Sequence, residues 1–242
     1  MIQLRSRQGG ILSGDIMSPF KYVQATILAF VLIHSASASE NFSFRTEKIY
    51  FQGSFPKGYC ALDLSQDRDA FLAQYLQNLA GKSLRLVATG VPCDELSSYR
   101  QGTEHLSAHT LSLFQVGVDG AFTRFLLGKR FFDGLIQSFS FEKSKEKIEK
   151  RSNRKLESFG DELSRLNAEK ITGTDTGISI VRGSADLKEK GRDTSSYCVT
   201  AAATLIHKYP FTAVKTGRLQ GPSCAQGDEL DALALLKAVG KR

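Results

Sequence analysis

The side chains with the widest chemical reach in this sequence are four cysteines, Cys60, Cys93, Cys198 and Cys224, and two histidines, His105 and His109. Four apart in HLSAH, the histidines would share one face of a helix and could grip the edge of a metal ion beside Glu104. The segment runs straight into a strand pattern, however, and the His-Glu-x-x-His spacing of zinc hydrolases is missing. Surface or loop histidines are therefore expected, and no metal site is assigned. His207 stands beside Lys208 where a hairpin turn is expected, and should face solvent. Neither a Gly-x-Ser-x-Gly nucleophile elbow nor a phosphate loop ending in Gly-Lys-Ser/Thr occurs. The acidic residues Asp94 and Glu95, and Asp228, Glu229 and Asp231, are read as charges at helix N-termini rather than as acid–base pairs.

Cysteine chemistry depends on the compartment, and the sequence speaks to that. From Met17 onward, Lys21 supplies a positive start, and the eleven residues 23–33 (VQATILAFVLI) supply a short apolar core. Ala36 and Ala38 occupy the −3 and −1 positions of an Ala-x-Ala site, so cleavage is expected before Ser39. A membrane-spanning helix needs about 20 apolar residues, which this run does not reach. Residues 1–38 are thus read as a leader containing a cleavable signal peptide, with Met17 as the expected start. The destination is periplasmic or extracellular.

An even number of cysteines in an exported chain reads as a disulfide framework. Three pairings are possible, and order along the chain favours Cys60–Cys93 with Cys198–Cys224. Each bond would close a loop of roughly 25–35 residues, worth about 3–4 kcal/mol in the chain-entropy view. A thiol enzyme would need an unpaired, activated cysteine, and a structural zinc site would need closer pairs.

The elements that position these residues follow from periodicity. Residues 41–55 carry alternating aromatics and read as an opening strand, ended by Pro56 and Gly58. Ser65 is placed to cap a helix over about 66–80, with Gly81 as its stop. Residues 84–89 and 110–118 read as strands, and 121–138 as a Phe-rich helix. In that helix Phe122, Phe125, Phe131 and Phe132 alternate with Arg124, Lys129 and Arg130. Such a pattern can lie on an anionic membrane, although phenylalanines at this spacing more commonly fill a core. Residues 142–168 are highly charged, with Leu156, Phe159, Leu163 and Leu166 as a sparse apolar stripe, and are read as a surface helix. Its cations Lys143, Lys145, Lys147, Lys150, Arg151, Arg154 and Lys155 form a possible binding surface, diluted by Glu142, Glu146, Glu149 and Glu157. A loop at 172–177, a strand at 178–181 and a polar loop to Arg192 follow. Residues 197–206 and 211–217 then form a hairpin, and a final helix begins at Asp228.

Mixed strands and helices with adjacent strands in hairpins describe an α+β fold, an antiparallel sheet flanked by helices, within a single domain over 39–242. The element FPKGYCALD (55–63), a helix and LRLVATGVPCDEL (84–96) together resemble a family of exported bacterial proteins of unknown function. In that family a Gly-Tyr-Cys segment precedes the first helix and a second cysteine follows the next strand. The closing hairpin, Gly/Pro turn and final helix are similar to the end of PsbP-like α/β sandwiches. The resemblance implies that fold and a first disulfide, in a wider group that holds accessory and binding proteins more than enzymes. Cys198, Cys224 and the charged segment at 142–168 depart from it.

The net charge of +7 falls to +5 once Arg5, Arg7, Lys21 and Asp15 leave with the leader. That balance suits anionic surfaces but lacks the concentrated patch of a nucleic-acid binder. The expectation is an exported, non-enzymatic binding or accessory domain, without a cofactor, whose partner is a protein or an anionic surface. No transmembrane segment is expected in the mature chain. The alternatives are a secreted effector acting on another cell, and an enzyme with a site around His105 and His109. N-terminal sequencing of the exported protein is expected to begin at Ser39; a terminus still bearing residues 23–33 would overturn the cleavage site.

Overall fold

Phe42 and Phe44 fall two apart before the polar stretch at Arg45–Lys48, and Phe51 and Phe55 fall four apart after it, even spacings that suit two strands facing one core. The computed structural model shows that arrangement, with β1 (Asn41–Thr46) and β2 (Ile49–Ser54) pairing antiparallel through a two-residue turn at Glu47 and Lys48. The single opening strand expected over 41–55 is therefore a hairpin. The structure describes residues 40–102, 109–117, 121–138, 146, 149–150, 153–154, 156–157, 162–171, 178–188, 193–219, 224 and 228–242. The expected signal peptide and the loop at 172–177 lie outside the described residues.

The remaining elements in order are β3 (Tyr59–Ala61), α1 (Asp67–Ala80), β4 (Leu84–Pro92), α2 (Cys93–Gln101), β5 (His109–Val116) and α3 (Lys129–Ser138). They continue with β6 (Glu162–Ile171), β7 (Ser179–Lys188), β8 (Thr194–Ile206), β9 (Tyr209–Arg218), α4 (Asp228–Ala238) and β10 (Gly240–Lys241). Seven strands form one sheet in the order β3-β4-β5-β9-β8-β7-β6, antiparallel throughout. A smaller sheet has the order β1-β2-β10. The architecture is thus α+β, with antiparallel sheets flanked by helices, as the residue pattern implies.

Because side chains alternate across a strand, the register assigns each face of the large sheet. Leu111, Leu113, Phe211, Ala213, Ala202 and Ile180 share one face, where Phe51 and Phe55 of the small sheet and Leu235 and Leu236 of α4 pack on them. Val91 and Ala185 belong to the other face. There α1 and α2 supply Leu72 and Tyr99 against Val91, while Tyr75 and Leu156 meet Ala185.

Four local expectations need correction. Ser65 does not cap α1; Gln66 holds the N-cap position, and the Ser65 hydroxyl donates to Asp63 Oδ1 at 2.7 Å instead. The Phe-rich helix begins only at Lys129, because Leu126 and Leu127 form a turn and Gly128 adopts φ +80°. The charged helix does not reach 168. Residues 146, 149, 150, 153, 154 and 156 are helical, but 162–171 is the strand β6. A bulge between Leu163 and Arg165 sets Leu163 opposite Leu187 and Leu166 opposite Ala185. A spacing of three in β6 thereby matches a spacing of two in β7, which imitates a helical stripe in the sequence. Likewise β7 runs on to Lys188, through most of what reads as a polar loop.

One corner is heavily braced. Cys60 on β3 is bonded to Cys93 at the start of α2, with Cα atoms 4.9 Å apart. The fully buried Asp69 carboxylate accepts from Arg100 at 2.7 Å and from the Asp63 backbone N–H at 2.7 Å. Arg68 donates to the Tyr99 carbonyl at 3.0 Å, and the Tyr99 hydroxyl returns the bond to the Arg68 carbonyl at 2.6 Å. Arg100→Ala strands the Asp69 charge without its counter-ion and is expected to cost about 3–5 kcal/mol, where Asp69→Asn with Arg100 intact costs less. Urea denaturation of the two variants checks this order.

Candidate functional site

Of the sequence-predicted residues, both disulfides are formed: Cys60–Cys93 and Cys198–Cys224, the second with Cα atoms 5.4 Å apart. His109 opens β5, and its Nδ1 lies 2.8 Å from each carboxylate oxygen of Glu95 on α2. This pairing joins strand to helix, a positional role for both side chains. His105, Lys143, Lys145, Lys147, Arg151 and Lys155 lie outside the described residues; Lys150 and Arg154 are exposed. Among the described residues no three His, Cys, Asp or Glu side chains are grouped to hold a metal ion, and no helix is long and apolar enough to cross a membrane.

Two constellations escape motif reading. The first lies where α4 enters over the large sheet. Register sets Arg182, Thr200 and Lys215 side by side on neighbouring strands, facing α4. Arg182 pairs with Glu229 at 2.9 Å, and Lys215 with Asp231 at 2.6 Å. The Tyr59 hydroxyl donates to the same Asp231 oxygen at 2.9 Å. Cys198 is the next residue of β8 on that face, and its partner Cys224 precedes α4 by a few residues. Disulfide and ion pairs therefore fasten the start of α4 together. Such partly buried pairs specify position more than they add net stability. The fully buried Thr200 Oγ1 and the Arg182 Nε have no hydrogen-bond partner among the described residues. The cluster reads as a latch.

The second constellation is at the end of the molecule formed by the β1–β2 turn, the β8–β9 turn and the segment 121–131. It starts from Tyr209, fully buried at the head of β9. Its hydroxyl donates to Glu47 at 2.6 Å and accepts from Arg124 Nε at 3.2 Å. Burial raises the Tyr209 pKa, and the hydrogen bond to Glu47 adds to the rise. Deeper in, Gln115 and Thr46, both buried, bond to each other at 2.9 Å, and Arg85 donates to both. The same Arg85 guanidinium lies 5.1 Å over the Phe122 ring, and Phe122 approaches so closely that a Cβ on Gly117 would sit 2.8 Å from it. The Phe125 N–H donates to the Lys208 carbonyl at 2.7 Å, and the Phe125 ring packs edge-on against Phe132 at 5.5 Å.

This segment is thus rooted at Phe122, Arg124, Phe125 and Phe132, yet its outward side chains are greasy. Leu126 is 84 % exposed, Leu127 65 % and Phe131 49 %. Exposed Arg124, Lys129 and Arg130 lie beside them along the chain, and exposed Lys48 and Lys208 stand in the two turns joined to this segment through Tyr209 and the Phe125 N–H. All three non-glycine residues with positive φ among the described residues, Glu47, His207 and Lys208, lie in the two turns at this end. Left-handed conformations at such residues cost of order 1 kcal/mol each and collect where a surface has work to do. The sequence carried one usable signal, the Leu-Leu-Gly break at 126–128, which marks a turn inside an apparent helix.

A separate apolar cleft of about 170 Å³ lies between Phe42, Leu62, Leu64, Ala73 and residues 86–89 of β4. It presents no charged side chain and no polar side chain other than Thr89.

Tyrosine ionisation reports on the braced regions. Burial pushes the Tyr59 pKa up to about 12; Lys215 pulls against that rise and Asp231 adds to it. Tyr99 is likewise pushed up to about 12, chiefly by burial and then by Asp69. An unfolded tyrosine ionises near pH ~10, so the stability tied to these protons is whole below that and drains away as pH rises toward 12. Denaturation midpoints should fall over that window, and Tyr59→Phe or Tyr99→Phe should flatten the fall relative to the parent protein.

Comparison with protein-family models gives no match, and comparison with curated proteins gives none.

Proposed function

We propose that this chain is an exported α+β domain that works by binding rather than catalysis, and that its binding face is the apolar, cation-rimmed tip at Leu126, Leu127 and Phe131. The single observation that carries this reading is the exposure of three large apolar side chains on a segment otherwise anchored to the fold. Isolated exposed leucines are ordinary; a cluster held outward on a rooted loop is a recognition feature. Gly128 at φ +80° closes the turn, and the buried Phe132 holds its far side, so the tip meets a partner with little ordering cost.

Export rests on the leader read from residues 17–38, with two disulfides as support, since such bonds persist in oxidising compartments. The PsbP-like resemblance agrees with an antiparallel sheet between helices and favours an accessory role. The exposed Lys150 and Arg154 extend the choice of electrostatic contacts.

The test is site-specific photocrosslinking in the native envelope. A photoreactive residue at Leu126 is expected to give adducts to protein or to lipid, and one at exposed Lys57 on the β2–β3 loop is expected to give neither. Equal labelling from both positions, or none from Leu126, would remove the tip as the binding face.

A further inference from the structure

Resting on the tip as the binding face, we infer that its partner is the anionic surface of a lipid bilayer, with Leu126, Leu127 and Phe131 entering the headgroup layer. Three features of the tip choose this occupant.

The first is charge. Exposed Arg124 and Arg130 lie beside the apolar side chains along the chain, exposed Lys48 and Lys208 stand in the two turns bonded to this segment, and exposed Lys129 makes an i,i+4 pair with Asp133 at 3.4 Å. The nearby Glu47 carboxylate is engaged by Tyr209 at 2.6 Å. The rim thus presents cations to whatever the leucines enter. A bilayer with acidic headgroups offers that complement laterally on every side, over an apolar interior directly beneath.

The second is shape. The leucines project from a turn and present no groove. Three side chains are too little for the roughly 800 Å² per partner of a standard protein interface, whereas shallow insertion of a few apolar groups plus basic neighbours is how peripheral proteins hold a membrane.

The third is rigidity. Phe122 under Arg85, Arg124 on Tyr209 and the Phe125 N–H on Lys208 fix the tip to the large sheet and its β8–β9 turn, so the apolar and cationic groups keep one geometry. The fold supplies the amphipathic surface that the sequence alone suggested for a longer helix.

The chain contains no tryptophan, so Leu127→Trp makes a single, unambiguous reporter in the full exported protein. Its emission is expected to shift to the blue with vesicles of phosphatidylglycerol mixed into phosphatidylcholine. It should stay unchanged with phosphatidylcholine alone and revert in high salt, which screens the basic rim. In co-sedimentation, Leu126→Asp is expected to weaken binding by about 10-fold or more, the cost of carrying a charge in place of a buried apolar group. The double variant Arg130→Glu/Lys208→Glu should abolish the preference for acidic lipid. Both variants keep the disulfides and the core, so unchanged circular dichroism shows that any loss is local.

Equal binding to neutral and acidic vesicles would overturn the inference, as would binding that Leu126→Asp leaves intact. Absence of vesicle binding with a discrete protein crosslinked at Leu126 would also overturn it, while keeping the tip as a protein-binding face. Absence of both would end both readings.

Discussion

The arrangement depends on one buried side chain with a polar end, Tyr209. Its ring meets Phe51 edge-on at 5.7 Å and belongs to the core that joins the small sheet to the large one. Its hydroxyl, out of reach of water, must be satisfied within the protein. Glu47 and Arg124 satisfy it, one from the β1–β2 turn and one from the segment leading to α3. A single burial requirement thus draws together three pieces of chain far apart in sequence. The turn before it, His207–Lys208, takes positive φ at both residues, the geometry of a tight hairpin, without the glycine that usually accommodates it. Packing of β8 on β9 and of Tyr209 on Phe51 supplies what holds that strain.

The other end and flank of the molecule are built on a different principle. Covalent and ionic braces converge there: Cys60–Cys93 beside Asp69–Arg100, and Cys198–Cys224 beside Arg182–Glu229 and Lys215–Asp231. Cys198–Cys224 and its neighbouring ion pairs fix the start of α4, while Cys60–Cys93 holds the start of α2 and Asp69–Arg100 joins the start of α1 to the last turn of α2. Leu126, Leu127 and Phe131 stand exposed together where buried aromatic and polar contacts do the anchoring, whereas Leu64, Phe71 and Leu230 are exposed singly beside the braces.

Much of this was legible from residue order. The closing hairpin, α1, α4 and both cysteine pairings follow from turn residues, periodicity and chain order, because each depends on neighbours in sequence. The reading failed where tertiary pairing overrode local pattern. Residues 162–168 are rich in helix-forming Leu, Glu and Ala, yet they pair with β7, and the bulge at Leu163/Arg165 disguises a strand as a helical stripe. Residues 121–128 show alternating aromatics and cations, but Phe122 and Phe125 are held by Arg85 and Lys208, partners that no window of sequence contains.

By itself the sequence determined the local and compositional properties: an even set of cysteines, an α+β order of elements and a mildly basic balance. These need only short-range pattern and counts. Only the tertiary structure decided which side chains stand together. The Tyr209–Glu47–Arg124 junction, the row of Arg182, Thr200 and Lys215 under α4, and the outward Leu126, Leu127 and Phe131 all arise from register and burial. A leucine reads the same in sequence whether it fills a core or crowns a turn, and the strands and rings packed beneath it determine which.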